Sequence, residues 1–360
     1  MFLDKFLRDP SSGNYIREID GLRFFAIFPV VILHLNTSYY RTFDSKIFQE
    51  FYNAVLIYGG WGVELFFAIS GFVITLPFFI KIKAKNYDLV TRSFFIKRFK
   101  RIEPPFVISL CLIYLLSLLS GRLDFADSVD NFFASLLYLH KLIYSEWSIV
   151  NPVTWSLETE IQFYILIPIV FAILVRFKTL YVFFIACVLF IASIFAHEFG
   201  FLSARLNLSV FNFAHLFIIG ICISYIYVFK NHLLSRSYFF DVLFLFSLLI
   251  IYLAKSMNSI FLFDSAVFLL FFSVFKLKFL ERFLCSNVLV IIGGMCYSIY
   301  LLHYSVVHAV HVVFNSLQFD NYVIVNSLSL IVTLLISSIF YLYVEKPFMN
   351  SDKTKRANGS

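Results

Sequence analysis

The chain has 360 residues, 61% hydrophobic, 20% aromatic and only 14% charged, with a formal charge of +7 and a mean hydropathy of +0.86. Soluble domains carry about 45–50% apolar and about 25% charged residues, so composition excludes a soluble protein and gives an integral membrane one. The positive balance calls for no nucleic-acid partner, because cytoplasmic loops between spans carry such an excess of Lys and Arg.

About twenty residues without an apolar core precede the first apolar run, which has no small-residue cleavage site, so no signal peptide is expected. Ten segments are long and apolar enough to span, centred on 20–39, 57–80, 104–120, 155–176, 179–197, 208–229, 237–254, 258–275, 293–315 and 322–345. Asn212, His215 and Asp264 interrupt the sixth and eighth. The stretch 93–103 is basic and amphipathic, as an interfacial helix would be. The stretch 131–143 is too short to span and reads as a helix on the outer surface. Counting Lys and Arg on alternate sides puts 23 on one side and six on the other (Arg41, Lys46, Arg122, Lys141, Arg205 and Lys255). The richer side is cytoplasmic. The predicted fold is all-α, a polytopic helical bundle of about ten transmembrane helices in contact with membrane lipids, with both termini cytoplasmic. A membrane domain covers 1–350, and the polar tail 351–360 is expected to be disordered. The five cysteines are scattered without a CxxC pair and read as packing residues.

Polar and ionisable residues inside a bilayer are costly, which makes each one a functional candidate. In "DGLRFFAIFPVVILHLN" (20–36), Arg23 and His34 are eleven residues apart, about 20° from three full turns, so they share a helix face roughly 16 Å apart. Asp20 and Arg23 can pair at i,i+3, and Pro29 frees a carbonyl between Arg23 and His34. His34 reads either as a proton acceptor or as a neutral core histidine. In "GGWGVELFFAISGF" (59–72), Glu64 can orient an imidazole or bind a hydroxyl, while Ser70 and Gly71 also read as small residues for close helix approach. In "TRSFFIKRFKRIEPP" (91–105), Arg98 and Arg101 share a face, suited to a phosphate site or to a lipid-facing basic belt.

In "NPVTWSLETEIQFYILIP" (151–168), Ser156 can cap a helix whose first turn holds Glu158 and Glu160. Trp155, Gln162 and Tyr164 join them in a set suited to gripping hydroxyl-rich ligands. In "GGMCYSIYLLHYSVVHAVH" (293–311), Tyr300 and His303 stand i,i+3, with His308 and His311 farther out. No carboxylate or cysteine completes a metal site there.

Together these stretches resemble the acyltransferase-3 family of integral-membrane acyltransferases. The matching residues are "REIDGLRFFAIFPVVILHLN", "GVELFFAISGFVIT", "FFIKRFKRIEPP", "TWSLETEIQFYILIP" and "YSIYLLHYS", in that order, from about residue 17 to 345. The family's Arg-x10-His pair falls on Arg23 and His34, its Arg-x-x-Arg pair on Arg98 and Arg101, and its Trp-Ser-Leu…Glu on Trp155, Ser156 and Glu160. The family often has Asp where this chain has Glu64. The resemblance implies transfer of an acyl group, usually acetyl from acetyl-CoA, to a carbohydrate hydroxyl. Many members also carry an extracytoplasmic hydrolase-like domain with a Gly-Asp-Ser motif. Without one, the membrane domain is expected either to finish the reaction or to hand the acyl group to a separate extracytoplasmic protein.

The expected function is a membrane O-acyltransferase of the bacterial inner membrane, with acyl-CoA as co-substrate, a carbohydrate acceptor and no permanently bound cofactor or metal. His34 and Glu64 are the expected catalytic residues. Arg23, Arg98 and Arg101 are expected to bind the acyl donor, and Trp155, Ser156, Glu158, Glu160, Tyr300 and His303 the acceptor. One rival is a secondary transporter with a His/Glu proton relay, against which stands the lack of an inverted repeat. A polysaccharide ligase or glycosyltransferase is the other, and the modest length of the longest outer loop, about 121–154, stands against it.

Overall fold

The computed structural model describes residues 5–7, 15–43, 56–87, 92–174, 179–198, 200, 206, 209–231 and 235–349. The tail 351–360 lies outside the described residues. Among those described, every regular element is helical: α1 (Arg17–Phe43), α2 (Trp61–Lys83), α3 (Arg92–Leu119), α4 (Phe125–Leu136), α5 (His140–Tyr144), α6 (Trp155–Leu174), α7 (Thr179–Glu198), α8 (Ala214–Phe229), α9 (Tyr238–Ser256), α10 (Ile260–Val274), α11 (Leu280–Leu284), α12 (Asn287–Gly294), α13 (Cys296–Ser316) and α14 (Tyr322–Phe340). A 3-10 turn leads into α2, another into α6, and α14 runs on into one π turn, Tyr341–Glu345.

Six described helices are long and apolar enough to cross a membrane: Tyr58–Lys83, Phe94–Leu119, Pro152–Ile173, Tyr238–Ser256, Cys296–Ser316 and Tyr322–Met349. The other four predicted spans contain α1, α7, α8 and α10. Of these, α8 and α10 have only 16 and 15 residues, about 24 and 22 Å at 1.5 Å per residue, short of a hydrocarbon core about 30 Å thick. Of the three interrupting residues, Asn212 falls just before α8 begins, while His215 and Asp264 lie inside α8 and α10.

Two expectations are corrected. The basic stretch 93–103 is no separate interfacial helix but the first half of α3, which runs through Pro104 and Pro105 without a break. A helix tolerates internal prolines where the irregular backbone is buried in protein, and the Tyr297 hydroxyl packs here, donating to the Ile102 carbonyl next to the two carbonyls the prolines free (2.8 Å). The stretch 131–143 does not lie flat on the outer surface. Ser128 and Phe132 meet Tyr114, and Tyr138 farther on stacks on Phe106 (4.6 Å). Increasing residue number in α4 thus matches decreasing number in α3, so α4 packs antiparallel along α3. The Tyr138 hydroxyl donates to Glu103 (2.7 Å), sixteen residues before the end of α3. The reason is aromatic: the half-buried rings of Phe132 and Tyr138 stack on Tyr114 and Phe106 of α3.

The core is built where small residues let backbones meet. Phe67, Phe163, Phe213, Phe217 and Phe271 fill the space among α2, α6, α8 and α10. A second cluster joins α1, α12 and α13 through Ile27, Val31, Ile291 and Ile299, and a third joins α3, α6 and α13. A methyl group built on Gly71 would overlap the Phe217 carbonyl, and one on Gly220 the Ala68 carbonyl. Packing between apolar helices in lipid depends on such close approach.

Gly71→Ala and Gly220→Ala should each destabilise the fold by about 1–3 kcal/mol, the usual cost of overpacking, read as a lowered thermal unfolding midpoint in lipid nanodiscs. Gly60→Ala, where a methyl meets only Leu33 at 3.8 Å, should leave it unchanged. Equal midpoints for all three would show that the α2–α8 contact is soft.

Candidate functional site

Five helices converge on one cavity of about 110 Å³. Arg23, Ile27 and Val30 come from α1, and Val63, Phe67 and Ser70 from α2. Arg98 and Arg101 come from α3, Ser156, Glu160 and Tyr164 from α6, and Cys296, Tyr297 and Tyr300 from α13. Three guanidinium groups therefore face one cavity that holds a single carboxylate of its own, and a wall of that sign suits an anionic ligand. The sequence pattern explains each placement. Arg23, Ile27 and Val30 recur at i, i+4 and i+7 on one face of α1, Arg98 and Arg101 at i,i+3 on α3, and Ser156, Glu160 and Tyr164 at i, i+4 and i+8 on α6.

Each charge in the cavity is held. Arg23 pairs with Asp20 at 2.6 Å, as the i,i+3 spacing predicts. Arg98 donates to the Val73 carbonyl (3.1 Å) and lies over the Tyr164 ring at 5.8 Å. Glu160 accepts from the Ser70 hydroxyl (2.5 Å) and from the Tyr164 hydroxyl. Ser156 and Tyr300 share a hydrogen bond of 3.0 Å, and the Tyr300 hydroxyl also donates to the Val153 carbonyl.

His34 lies one turn beyond Val30 on α1, and His303 one turn beyond Tyr300 on α13. Their imidazoles meet, with His34 Nδ1 3.0 Å from His303 Nε2. The tautomers follow from the partners. His303 Nδ1 faces the Ile299 and Tyr300 carbonyls at 3.0 and 2.9 Å, and carbonyls only accept, so that nitrogen carries the proton. In the neutral ring, His303 Nε2 is then an acceptor, and His34 Nδ1–H donates to it. The lone pair of the neutral pair is thereby placed on His34 Nε2, ready to take a proton. His303, read from sequence as an acceptor contact, is the partner that orients His34.

Glu64 is placed elsewhere. It stands 2.5 Å from Lys255 Nζ of α9 and is not brought to His34. Trp155 and Glu158 are also outside the cavity wall. Glu158 is buried and accepts from the Lys141 backbone N–H (3.0 Å), which ties α6 to the start of α5. Beside it, burial holds the His140 imidazole below its usual range, and this ring bonds Asn131 Oδ1 at 2.8 Å. Gln162 accepts from the Val210 N–H (3.0 Å). Tyr297 lines the cavity without having been singled out from the sequence, although it shares a face with Tyr300 at i,i+3.

The acyltransferase-3 family model, described as an acyltransferase domain, matches residues 16–342. Two Staphylococcus aureus proteins named O-acetyltransferase OatA, from strains NCTC 8325 and COL, are each 25% identical over 370 residues. A further protein of strain COL, also named for O-acetyltransferase activity, is 24% identical over 381 residues. In each case the match covers 93% of this chain and 57% of the relative, so the chain spans a little over half the length of these relatives. No solved structure matches it. With five polar motifs folded onto one cavity and a family match over nearly its whole length, the chain belongs to the acyltransferase-3 family of integral-membrane acyltransferases.

Proposed function

We propose that this chain moves an acetyl group from cytoplasmic acetyl-CoA to a hydroxyl of a carbohydrate acceptor, working in the bacterial inner membrane. One observation carries the reading: Arg23, Arg98 and Arg101 line a cavity whose walls at Val30 and Tyr300 stand one helical turn from the His34–His303 pair. The names of the OatA relatives support acetyl as the group and oxygen as its acceptor. The Lys and Arg count supports a cytoplasmic position for Arg98 and Arg101.

In this reading Arg98 and Arg101 bind donor phosphates through charge-assisted hydrogen bonds, and the thioester end extends past Ser70, Glu160 and Tyr300. The acceptor hydroxyl gives its proton to His34 Nε2 as its oxygen attacks the thioester carbonyl carbon. As the imidazolium forms, its Nδ1–H remains donated to His303 Nε2, which stabilises the charge. The C–S bond of the tetrahedral intermediate then breaks. The ester leaves with the acceptor, and the thiolate takes the proton from His34.

Arg98→Ala and Arg101→Ala should raise the KM for acetyl-CoA more than they lower kcat, because phosphate contacts far from the thioester bind ground and transition states alike. A lost charge-assisted bond costs about 1.5–3 kcal/mol, or about ten- to hundredfold in KM. Unchanged acetyl-CoA affinity in both variants would leave these arginines as ties between helices and overturn their part in donor binding.

His34→Ala should abolish acetyl transfer while acetyl-CoA still binds, since general-base assistance is worth about 10²–10⁴-fold. His34→Gln should fail as well, because an amide cannot take the proton. His303→Gln should retain more activity than His303→Ala, because its amide oxygen accepts from His34 Nδ1–H. Restored transfer in His34→Gln would place the base elsewhere.

Sidedness is tested by cysteine labelling in a variant whose native cysteines are alanine. An impermeant thiol reagent added to cells with a permeabilised outer membrane should label a cysteine at 127 and spare one at 86. The reverse pattern would overturn the route assigned to the acyl group.

A further inference from the structure

A second polar cluster lies outside the cavity, where five helices end together. Glu64 is in the first turn of α2, His197 in the last turn of α7, His215 at the start of α8, Lys255 in the last turn of α9 and Asp264 early in α10. The Lys and Arg count puts this end of the bundle outside. Asp264 is 2% exposed, and both of its oxygens face His215 Nδ1, at 2.8 and 3.0 Å. A carboxylate only accepts, so His215 Nδ1 carries the proton and Nε2 is the nitrogen left to act. His215 is 2% exposed, and its Nε2 has no hydrogen-bond partner. The same holds for buried Nδ1 of His197, whose ring lies 5.8 Å from that of His215. Buried polar atoms in folded proteins are nearly always satisfied, so these two nitrogens, on rings 5.8 Å apart, call for a ligand.

The ligand group that fits is a hydroxyl. If His215 is neutral, Nε2 needs a donor; if it is an imidazolium on Asp264, Nε2–H needs an acceptor. A hydroxyl is both. Among the described residues no group of three or more metal-type side chains could hold an ion. Rings lead to this pair in an unbroken series. Trp147, 52% exposed, meets Trp155 (5.7 Å), which meets Phe213 (5.7 Å), which meets His197 (6.0 Å). Aromatic walls with a few placed polar groups are the usual build of a small-ligand site. A pyranose presents an apolar C–H face to rings and hydroxyls to polar atoms, whereas an open polyol such as a glycerol headgroup has no ring face to offer. Phe67, which lines the cavity, packs on both Trp155 and Phe213 (6.1 and 4.9 Å), so the series runs beside the site of transfer.

We infer that Glu64, His197, His215 and Asp264, reached along Trp147 and Trp155, form a saccharide-binding subsite that holds the acceptor by its hydroxyls. Lys255 holds Glu64 in place through their ion pair. This inference rests on the proposed carbohydrate acceptor, but its test needs no turnover. Protein in phosphatidylcholine nanodiscs is mixed with N-acetylglucosamine and the methyl α-pyranosides of glucose, galactose and rhamnose, and binding is read by saturation-transfer NMR. At least one sugar should bind the parent, with the transfer strongest at ring C–H groups. His215→Gln, Asp264→Asn and Trp155→Leu should each weaken that binding at least fivefold with acetyl-CoA affinity unchanged, and the unfolding midpoint, which lost packing lowers, identifies which variants are folded. Trp147→Ala, at an exposed position that folding tolerates, should weaken it as well. No binding of any of the four sugars by the parent, or parental binding in the variants that fold, would overturn the subsite. Loss of acetyl-CoA binding in the parent would count against the proposed reaction alone and leave this result standing.

Discussion

An arginine within a bilayer must bring polar company with it, because hydrocarbon offers none. That constraint organises this bundle. Asp20 serves Arg23 one turn away on its own helix, but Arg98 has to reach across to the Val73 carbonyl of α2 and the Tyr164 ring of α6. Glu160 is held in turn by Ser70 of α2. The contacts between helices pin α2, α3 and α6 to one another, and the Ser156–Tyr300 hydroxyl pair adds α13. The cavity is what remains between side chains that cannot be left facing lipid.

Close backbone packing supplies the opposing restraint. Water drives no helix together in lipid, and contact depends on how near two backbones come. Gly71 and Gly220 bring α2 against α8 directly behind Ser70. The hydroxyl that meets Glu160 therefore stands on a helix that cannot drift. Pro104 and Pro105 act differently. They leave the Lys100 and Arg101 carbonyls without helical donors, and Tyr297 of α13 donates to the next carbonyl, that of Ile102. The irregular backbone is lodged inside protein, where it is tolerated.

Much of this was legible in the sequence because helical spacing alone decides which residues share a face. The pairs Asp20–Arg23, Arg98–Arg101 and Tyr300–His303, and the all-helical class, all follow from intervals of three or four. What spacing cannot say is which face of one helix meets which of another. Glu64 therefore read as the group orienting His34, although Lys255 of α9 claims it and His303 of α13 takes the place beside His34. The antiparallel course of α4 along α3 was hidden for the same reason: a short apolar stretch looks alike on a surface and in a groove. Asn212, His215 and Asp264 appeared only as interruptions of apolar segments. Asn212 falls just before the start of α8, and the other two form a buried His–Asp pair.

The proposed reaction also explains why the base is a histidine resting on a histidine. Acetyl transfer from a thioester to a hydroxyl neither releases nor consumes a proton overall: the one taken from the acceptor finishes on the thiol. The base must therefore accept and return it within each turnover, and imidazole, with an ordinary pKa of about 6.5, suits both directions near neutrality. A carboxylate partner would add a permanent buried charge and favour the loaded state. Neutral His303, locked with Nδ1–H on two carbonyls, orients His34 while adding no charge of its own. Glu64 pairs with Lys255 and Asp264 with His215, so neither carboxylate bonds the base. In the proposed reaction the three cavity arginines are then left to hold the anionic donor, and the inferred subsite gives these carboxylates the acceptor hydroxyls.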